Sequence, residues 1–316
     1  MQPVQTVFIG TSSEGASTLK TLHKHPLFTV CAVITQPEKP AGRDKEPQTT
    51  PIHDTATLCD IPIYTPETST DTTYTNILDT YDPELAIVIS FGQFLPKPFI
   101  TAPRYACINV HYSILPFLRG AVPVQKAILE GHTETGVTIQ VMEETMDTGP
   151  ILAQTVIPIA ENDTTPSLKE KLIPLGESLL ITTLTEWISG QIKPREQNHN
   201  NATYCYTSDI TKQKAEILWN GTKPQQIERM IRALLPWPVA WTTLPNGKKL
   251  KIYSAKLEQK TSEHNIDPKN PGDILDSKTS LYFATSDKNT ILNAQTVQQE
   301  GKKRMSGATF RQGITL

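Results

Sequence analysis

Three side chains near the middle of the chain have the types needed to move an acyl group: Asn109, His111 and Asp147. Asn109 and His111 close a short run of small and β-branched residues, 106–110, that reads as a buried strand. Their spacing of two puts both side chains on one face of such a strand. Asp147 follows a second strand-like run, 136–141, and sits in a loop ending at Gly149. Glycine there lets the backbone take positive φ and turn the carboxylate inward. A carboxamide can donate to a developing oxyanion, an imidazole can donate or exchange a proton, and a carboxylate can orient and charge that imidazole. Singly, each has an ordinary explanation: a strand-end Asn caps a turn, and a lone His is accommodated. Together they fit acyl-type transfer without a covalent enzyme intermediate.

The elements that must position them begin as an α/β protein. Thr6 to Gly10 reads as a first strand, 10–15 as its turn, Ala16 to His23 as a helix and Val30 to Thr35 as a second strand. The turn lacks G-x-G-x-x-G, which excludes a dinucleotide fingerprint. Residues 36–51 carry four prolines and read as a long loop. A helix is expected to end over Ile77 to Tyr81. Leu85 to Ile89 is apolar throughout, as suits the centre of a parallel sheet, and Ser90 to Pro96 follows at the carboxyl end where open α/β sheets bind ligands. Residues 123–129 read as a helix, Ile151 to Ile159 as a strand, and Ser167 to Trp187 as a helix interrupted near Pro174.

Gly190 to Asn201 is polar and reads as a linker. Beyond it, Thr222 can cap a helix with Ile227, Met230, Ile231 and Leu234 on one face, stopped by Pro236-Trp237-Pro238. Short strands follow at 241–244, 250–255, 272–275, 281–284 and 290–292, the spacing of a small OB-like β-barrel, with Asn246-Gly247 as a turn. Domains are therefore expected at 1–189 and 207–316, joined by 190–206.

Charge divides along the same line. The chain has 30 Lys+Arg and 32 Asp+Glu. Residues 1–203 hold 13 against 22 (net −9), and 204–316 hold 17 against 10 (net +7). A basic half on an acidic half is expected when one part meets a polyanion. Four cysteines without C-x-x-C spacing indicate neither a zinc site nor a disulfide framework. No signal peptide and no membrane-spanning run are visible, so a cytoplasmic protein is expected.

The text around the trio is specific. Asn-Val-His-x-Ser-Ile-Leu-Pro, Arg-Gly-Ala-x-Pro, Glu-Thr-Gly-Val-Thr-Ile and Met-Asp-Thr-Gly resemble the 10-formyltetrahydrofolate-dependent formyltransferases, most closely the methionyl-tRNA formyltransferase family. Gly-Thr after the first strand, Arg-Ala-x-x-Pro-Trp-Pro at 232–238 and Gly-Lys-Lys-x-Met at 301–305 extend the resemblance over essentially the whole chain. It implies a Rossmann-like formyltransferase domain with a central, mostly parallel sheet, then a small OB-like barrel serving as a tRNA platform. It places the catalytic roles on Asn109, His111 and Asp147. Asn109 and protonated His111 would stabilise the oxyanion, and Asp147 would help take the amine proton. The same resemblance puts the folate co-substrate against Phe91, Gly92, Leu95, Ser113, Ile114, Leu115, Pro116 and Met142, with no metal. It assigns tRNA contacts to Arg43, Lys45, Lys302 and Lys303, in a monomer. Two departures stand out. Glu38, Asp44 and Glu46 cancel Lys39, Arg43 and Lys45 in the 36–51 loop, and Tyr112 replaces a small residue, which is expected to reshape the pocket together with Phe117. The competing expectations are formylation of an amino sugar nucleotide or other small amine, and a non-catalytic RNA-binding relative.

Overall fold

The computed structural model describes residues 2–41, 46–261, 270–277 and 279–313. These form two compact units, one from Met1–Ala121, Thr135–Ile157 and Glu170–Tyr204, the other from Val122–Glu134, Pro158–Lys169 and Cys205–Leu316.

The first unit is built on a seven-stranded sheet. Its order is Ile151–Pro158, Glu134–Val141, Cys107–His111, Leu85–Ile89, Val4–Gly10, Phe28–Ile34 and Ile63–Tyr64. Pairing is parallel through the last five, and Cys107–His111 meets Glu134–Val141 antiparallel. Leu85–Ile89 is buried at all five positions, as a central strand covered on both faces should be. The helix Ser13–Lys24 starts where Ser12 accepts a hydrogen bond from the Gly15 amide at 3.4 Å. Thr50 caps Pro51–Leu58 in the same way, accepting from His53 N at 3.0 Å.

Several expectations change. The 36–51 stretch is not wholly loop, because Lys39–Ala41 pairs antiparallel with Glu46–Gln48. The helix expected to break near Pro174 runs unbroken from Thr165 to Ile188. Leu168, Leu172, Leu180 and Leu184 are all fully buried at multiples of four residues, a stripe that continues through the proline and outweighs the hydrogen bond it removes. Most of the stretch expected as a linker is packed into the first unit. Arg195 exchanges backbone hydrogen bonds with Ile151 at 2.8 and 2.9 Å, and Gln197 is 5% exposed. Among the described residues no helix is long and apolar enough to cross a membrane.

The second unit holds a five-stranded antiparallel sheet in the order Trp241–Thr243, Lys249–Gln259, Thr290–Gln299 and Leu281–Ala284, with Met305–Ser306 also on Thr290–Gln299. The 272–275 stretch is not a strand and contributes one bridge, Ile274 to Phe283. The helix Pro224–Ala233 is preceded by Lys223 as its cap residue, not Thr222, and buries Ile227 and Ile231. Trp219 lies at the centre of this core. It stacks on Phe283 with centroids 5.0 Å apart, and its Nε1 donates to Thr242 Oγ1 at 2.9 Å. Gly272, at φ +94°, passes over the indole so closely that a Cβ would stand 2.6 Å from Trp219 Cδ1.

Trp219 should therefore set the stability of this unit. Trp219→Ala is expected to cost about 3–5 kcal/mol in denaturant unfolding. Trp219→Phe, which keeps a ring and loses the bond to Thr242, should cost only about 1 kcal/mol. Equal effects would mean that the stacking contributes little.

Candidate active site

The register that pairs Asn109 with Gln140 and His111 with Thr138 brings two strand ends together at one point, and the loop 143–149 closes over them. Asp147 takes a positive φ of 55° there, which aims its carboxylate back at the strands. Oδ1 accepts from Asn109 Nδ2 at 3.2 Å and from Gln140 Nε2 at 2.9 Å, and Oδ2 accepts from the Gly120 amide at 2.7 Å. His111 Nδ1 stands 3.7 Å from Oδ2, beyond hydrogen-bond distance. The His111 and Asp147 side chains are 6% and 12% exposed, so their interaction is only weakly screened by solvent.

The imidazole's tautomer follows from its other partner. His111 Nε2 lies 2.9 Å from the carbonyl oxygen of Leu118, which can only accept. Nε2 therefore carries a proton, and Nδ1, facing Asp147, is the nitrogen that can gain or lose one. The three sequence-assigned residues are thus brought together, and the carboxylate is already engaged by three donors.

One of those donors, Gln140, and Gln197 behind it had no assigned role in the sequence. Gln140 is 1% exposed, and a glutamine inside an otherwise apolar strand was the available signal. Gln197 had none, because it comes from a polar stretch 50 residues away from Asp147. Its Nε2 donates to the carbonyls of Asp147 and Gly149 at 2.9 and 2.7 Å and to Gln140 Oε1 at 3.3 Å. Its Oε1 accepts from Arg119 Nε and Nη2 at 3.2 and 2.7 Å. Arg119 is 1% exposed and also reaches His199 Nδ1 at 2.9 Å. Its buried charge is held by these neutral acceptors.

The residues assigned to the folate site fall into two groups. Phe91, Leu95, Ser113 and Leu115 are buried, so their side chains build the wall from behind. Phe91 and Leu95 pack in one core cluster with Met142 at its margin. Gly92 is exposed, while Ile114, Pro116 and Met142 are partly exposed. Those four can offer a ligand backbone and apolar surface. The Ser113–Phe117 turn is pinned from several sides. Ser113 Oγ donates to Phe117 O at 2.6 Å, Thr138 Oγ1 donates to Ser113 O at 2.7 Å, and Gln154 Nε2 donates to Leu115 O at 2.8 Å. Thr11 and Gln36 both donate to Phe91 O, at 3.0 and 2.6 Å, and hold the 90–96 loop.

Tyr112 follows His111, the last residue of the strand, and its ring lies near Gly176, buried, with its phenol pushed upward by burial and by Glu14 and Glu177. Phe117 is 43% exposed. Beneath the site the Cys107 thiol is raised to about 12 by burial, which keeps it protonated and unreactive. At the rim, Lys97 pairs with Glu144 at 2.7 Å.

Of the residues assigned to tRNA, Arg43 and Lys45 lie outside the described residues. Lys302 and Lys303 are exposed. They follow Thr290–Gln299, whose Gln299 pairs with Leu250, so they share one sheet end with Lys249. Two cations of this region lie over aromatic rings, Lys249 over Trp241 at 3.8 Å and Arg304 over Tyr253 at 3.5 Å.

Comparison with known proteins gives matches along nearly the whole chain. Residues 4–184 match the formyl transferase family model, and residues 209–315 match the model of the formyl transferase C-terminal domain. A methionyl-tRNA formyltransferase of Roseiflexus castenholzii is 37% identical over 313 residues, covering 99% of this chain and 97% of the relative. One from Hydrogenovibrio crunogenus is 37% identical over 316 residues, covering 100% and 97%. Among solved structures, an N-formyltransferase of Helicobacter canadensis in complex with folinic acid and dTDP-3-aminofucose has a TM-score of 0.67 at 19% identity, covering 92% of this chain and 99% of that one. HypX of Aquifex aeolicus with tetrahydrofolic acid has a TM-score of 0.63 at 14% identity, covering 97% and 46%. These two show likeness of fold.

The loop that carries Asp147 depends on Gly149. A Cβ there would run into the Val141 carbonyl oxygen, a backbone atom of the paired strand that cannot swing aside. Gly149→Ala is expected to cost about 3 kcal/mol in denaturant unfolding and to speed amide exchange over 143–149. Gly190→Ala should cost only about 1 kcal/mol, because that position has positive φ (+74°) but open space around it. Equal costs would show that the loop tolerates displacement.

Proposed function

The chain belongs to the methionyl-tRNA formyltransferase family, and we propose that Asn109, His111 and Asp147 carry its reaction. That reaction is transfer of a formyl group from 10-formyltetrahydrofolate to the α-amine of methionyl-initiator-tRNA, a one-carbon transfer serving translation initiation. The observation that supports assigning it to these residues is their convergence: the Asp147 carboxylate binds Asn109 directly and faces the nitrogen of His111 that is not bonded to the Leu118 carbonyl.

The exposed backbone of Gly92 and the partly exposed Ile114, Pro116 and Met142 suit a flat heteroaromatic ring. When bound, the folate supplies the formyl carbon. Asn109 has one carboxamide hydrogen on Asp147, which leaves the other for the formyl oxygen as negative charge develops. His111 Nδ1 takes the proton that the attacking amine sheds and returns one to the departing nitrogen. The Asp147 carboxylate stands 3.7 Å from that nitrogen. Both of its oxygens already accept hydrogen bonds, so the geometry favours His111 over Asp147 as the group that handles the amine proton.

Holding the tRNA would fall to the basic C-terminal half. Exposed Lys302 and Lys303, beside cations backed by Trp241 and Tyr253, give that half a face suited to phosphates. Arg43 and Lys45 would act in the net-neutral 36–51 stretch through placement and not through bulk charge.

Asn109→Ala, His111→Ala and Asp147→Asn should each lower turnover at least about 100-fold, with circular dichroism unchanged. The assay supplies 10-formyltetrahydrofolate with charged initiator or elongator tRNA and identifies the formylated amino acid after deacylation. A folded His111→Ala enzyme with near-normal turnover would remove this mechanism. Formylation of an amino sugar nucleotide in place of the tRNA would move the chain to another substrate class.

Binding of tRNA should weaken steeply with salt. Lys302→Ala and Lys303→Ala together should flatten the slope of log affinity against log salt by about one to two phosphate contacts, while folate affinity stays constant. An unchanged slope would take these lysines out of the interface.

A further inference from the structure

We propose that Gln197 is a positioning residue for the transfer reaction, holding the Asp147 loop and the Gln140 side chain in register through the charge of Arg119. The inference rests on the reading of Asp147 given above. It concerns a residue that lies between the two family-matched segments, 4–184 and 209–315.

The hydrogen bonds of Gln197 leave one orientation for its amide. Three oxygens, Asp147 O, Gly149 O and Gln140 Oε1, surround Nε2, and the Arg119 guanidinium faces Oε1. A flipped amide would set an acceptor against acceptors and a donor against a cation. Gln197 thus grips Asp147 twice. It holds the backbone carbonyl directly, and it holds the carboxylate through Gln140, whose own Nε2 donates to Oδ1.

This second grip suits what Asp147 needs. Its backbone sits at φ 55°, a region that a non-glycine residue leaves readily unless its surroundings hold it there. The Nδ1–Oδ2 separation of 3.7 Å is also sensitive to small loop shifts, because the interaction steepens at short range inside a buried site. The Arg119 charge polarises the Gln197 amide, which strengthens its donation to the loop carbonyls. Gln197 touches no reacting atom on this account and acts through Asp147.

The test is a double-mutant cycle. Gln197→Glu keeps an acceptor for Arg119 and removes the three donations from Nε2. Its turnover with 10-formyltetrahydrofolate and initiator methionyl-tRNA should fall about 10- to 100-fold, the scale of a displaced catalytic group. KM for both substrates should stay within about twofold, since neither binding surface is changed. On an Asp147→Asn background the same change should cost less than about threefold, because the group it positions is already disabled. Gln197→Asn, one methylene shorter, should show the same pattern more weakly, and it decides the matter if Gln197→Glu does not fold. Wild-type turnover in folded Gln197 variants, or a full and additive loss on the Asp147→Asn background, would overturn the proposal. If Asp147→Asn alone turns over normally, it is the catalytic reading that fails.

Discussion

One carboxylate holds the site together. Asp147 receives Asn109 from one strand, Gln140 from the antiparallel neighbour and the amide of Gly120 from the turn beyond, with His111 close by. Three separate stretches of chain must reach their final places before these donors meet. A buried carboxylate without them would be costly, so the fold and the site enforce each other. The sheet supplies two donors from facing strands, and the loop brings the acceptor to them.

Around this centre the protein separates shape from contact. Phe91, Leu95 and Leu115 are buried and hold the loops from behind, while Gly92, Ile114 and Met142 present the accessible surface. Loop carbonyls are fastened by side chains from distant segments, Gln36 and Thr11 on Phe91, and Gln154 on Leu115. The buried groups nearby are kept quiet. The thiol of Cys107 is raised to about 12, and the Tyr112 phenol is pushed upward, so neither competes for protons at neutral pH.

The two halves of the sequence carry opposite net charge. The net −9 of residues 1–203 and +7 of residues 204–316 would nearly cancel in a measurement of the whole protein. At physiological salt, however, fields fade over roughly 8 Å, so a polyanion meets the local charge and not the sum. Lys249 over Trp241 and Arg304 over Tyr253 place flat rings beneath cations on the basic half.

The amino-acid sequence by itself determined the strand Leu85–Ile89 and the split in charge, and the motifs around Asn109, His111 and Asp147 singled out three residues that the structure brings together. Each is written in nearby residues, as an unbroken apolar run, a composition or a motif. Local signals also misled. Pro174 looked like a break, yet a stripe of buried leucines carries the helix through it. A polar stretch looked like a tether, yet Gln197 within it is buried against Asp147. Only the tertiary structure decided which imidazole nitrogen is committed to the Leu118 carbonyl, and that Arg119 and Gln197 stand behind the carboxylate. These partners lie 7 to 78 residues apart along the chain. Sequence patterns report periodicity over a few residues, whereas a buried hydrogen bond depends on where distant backbone comes to rest.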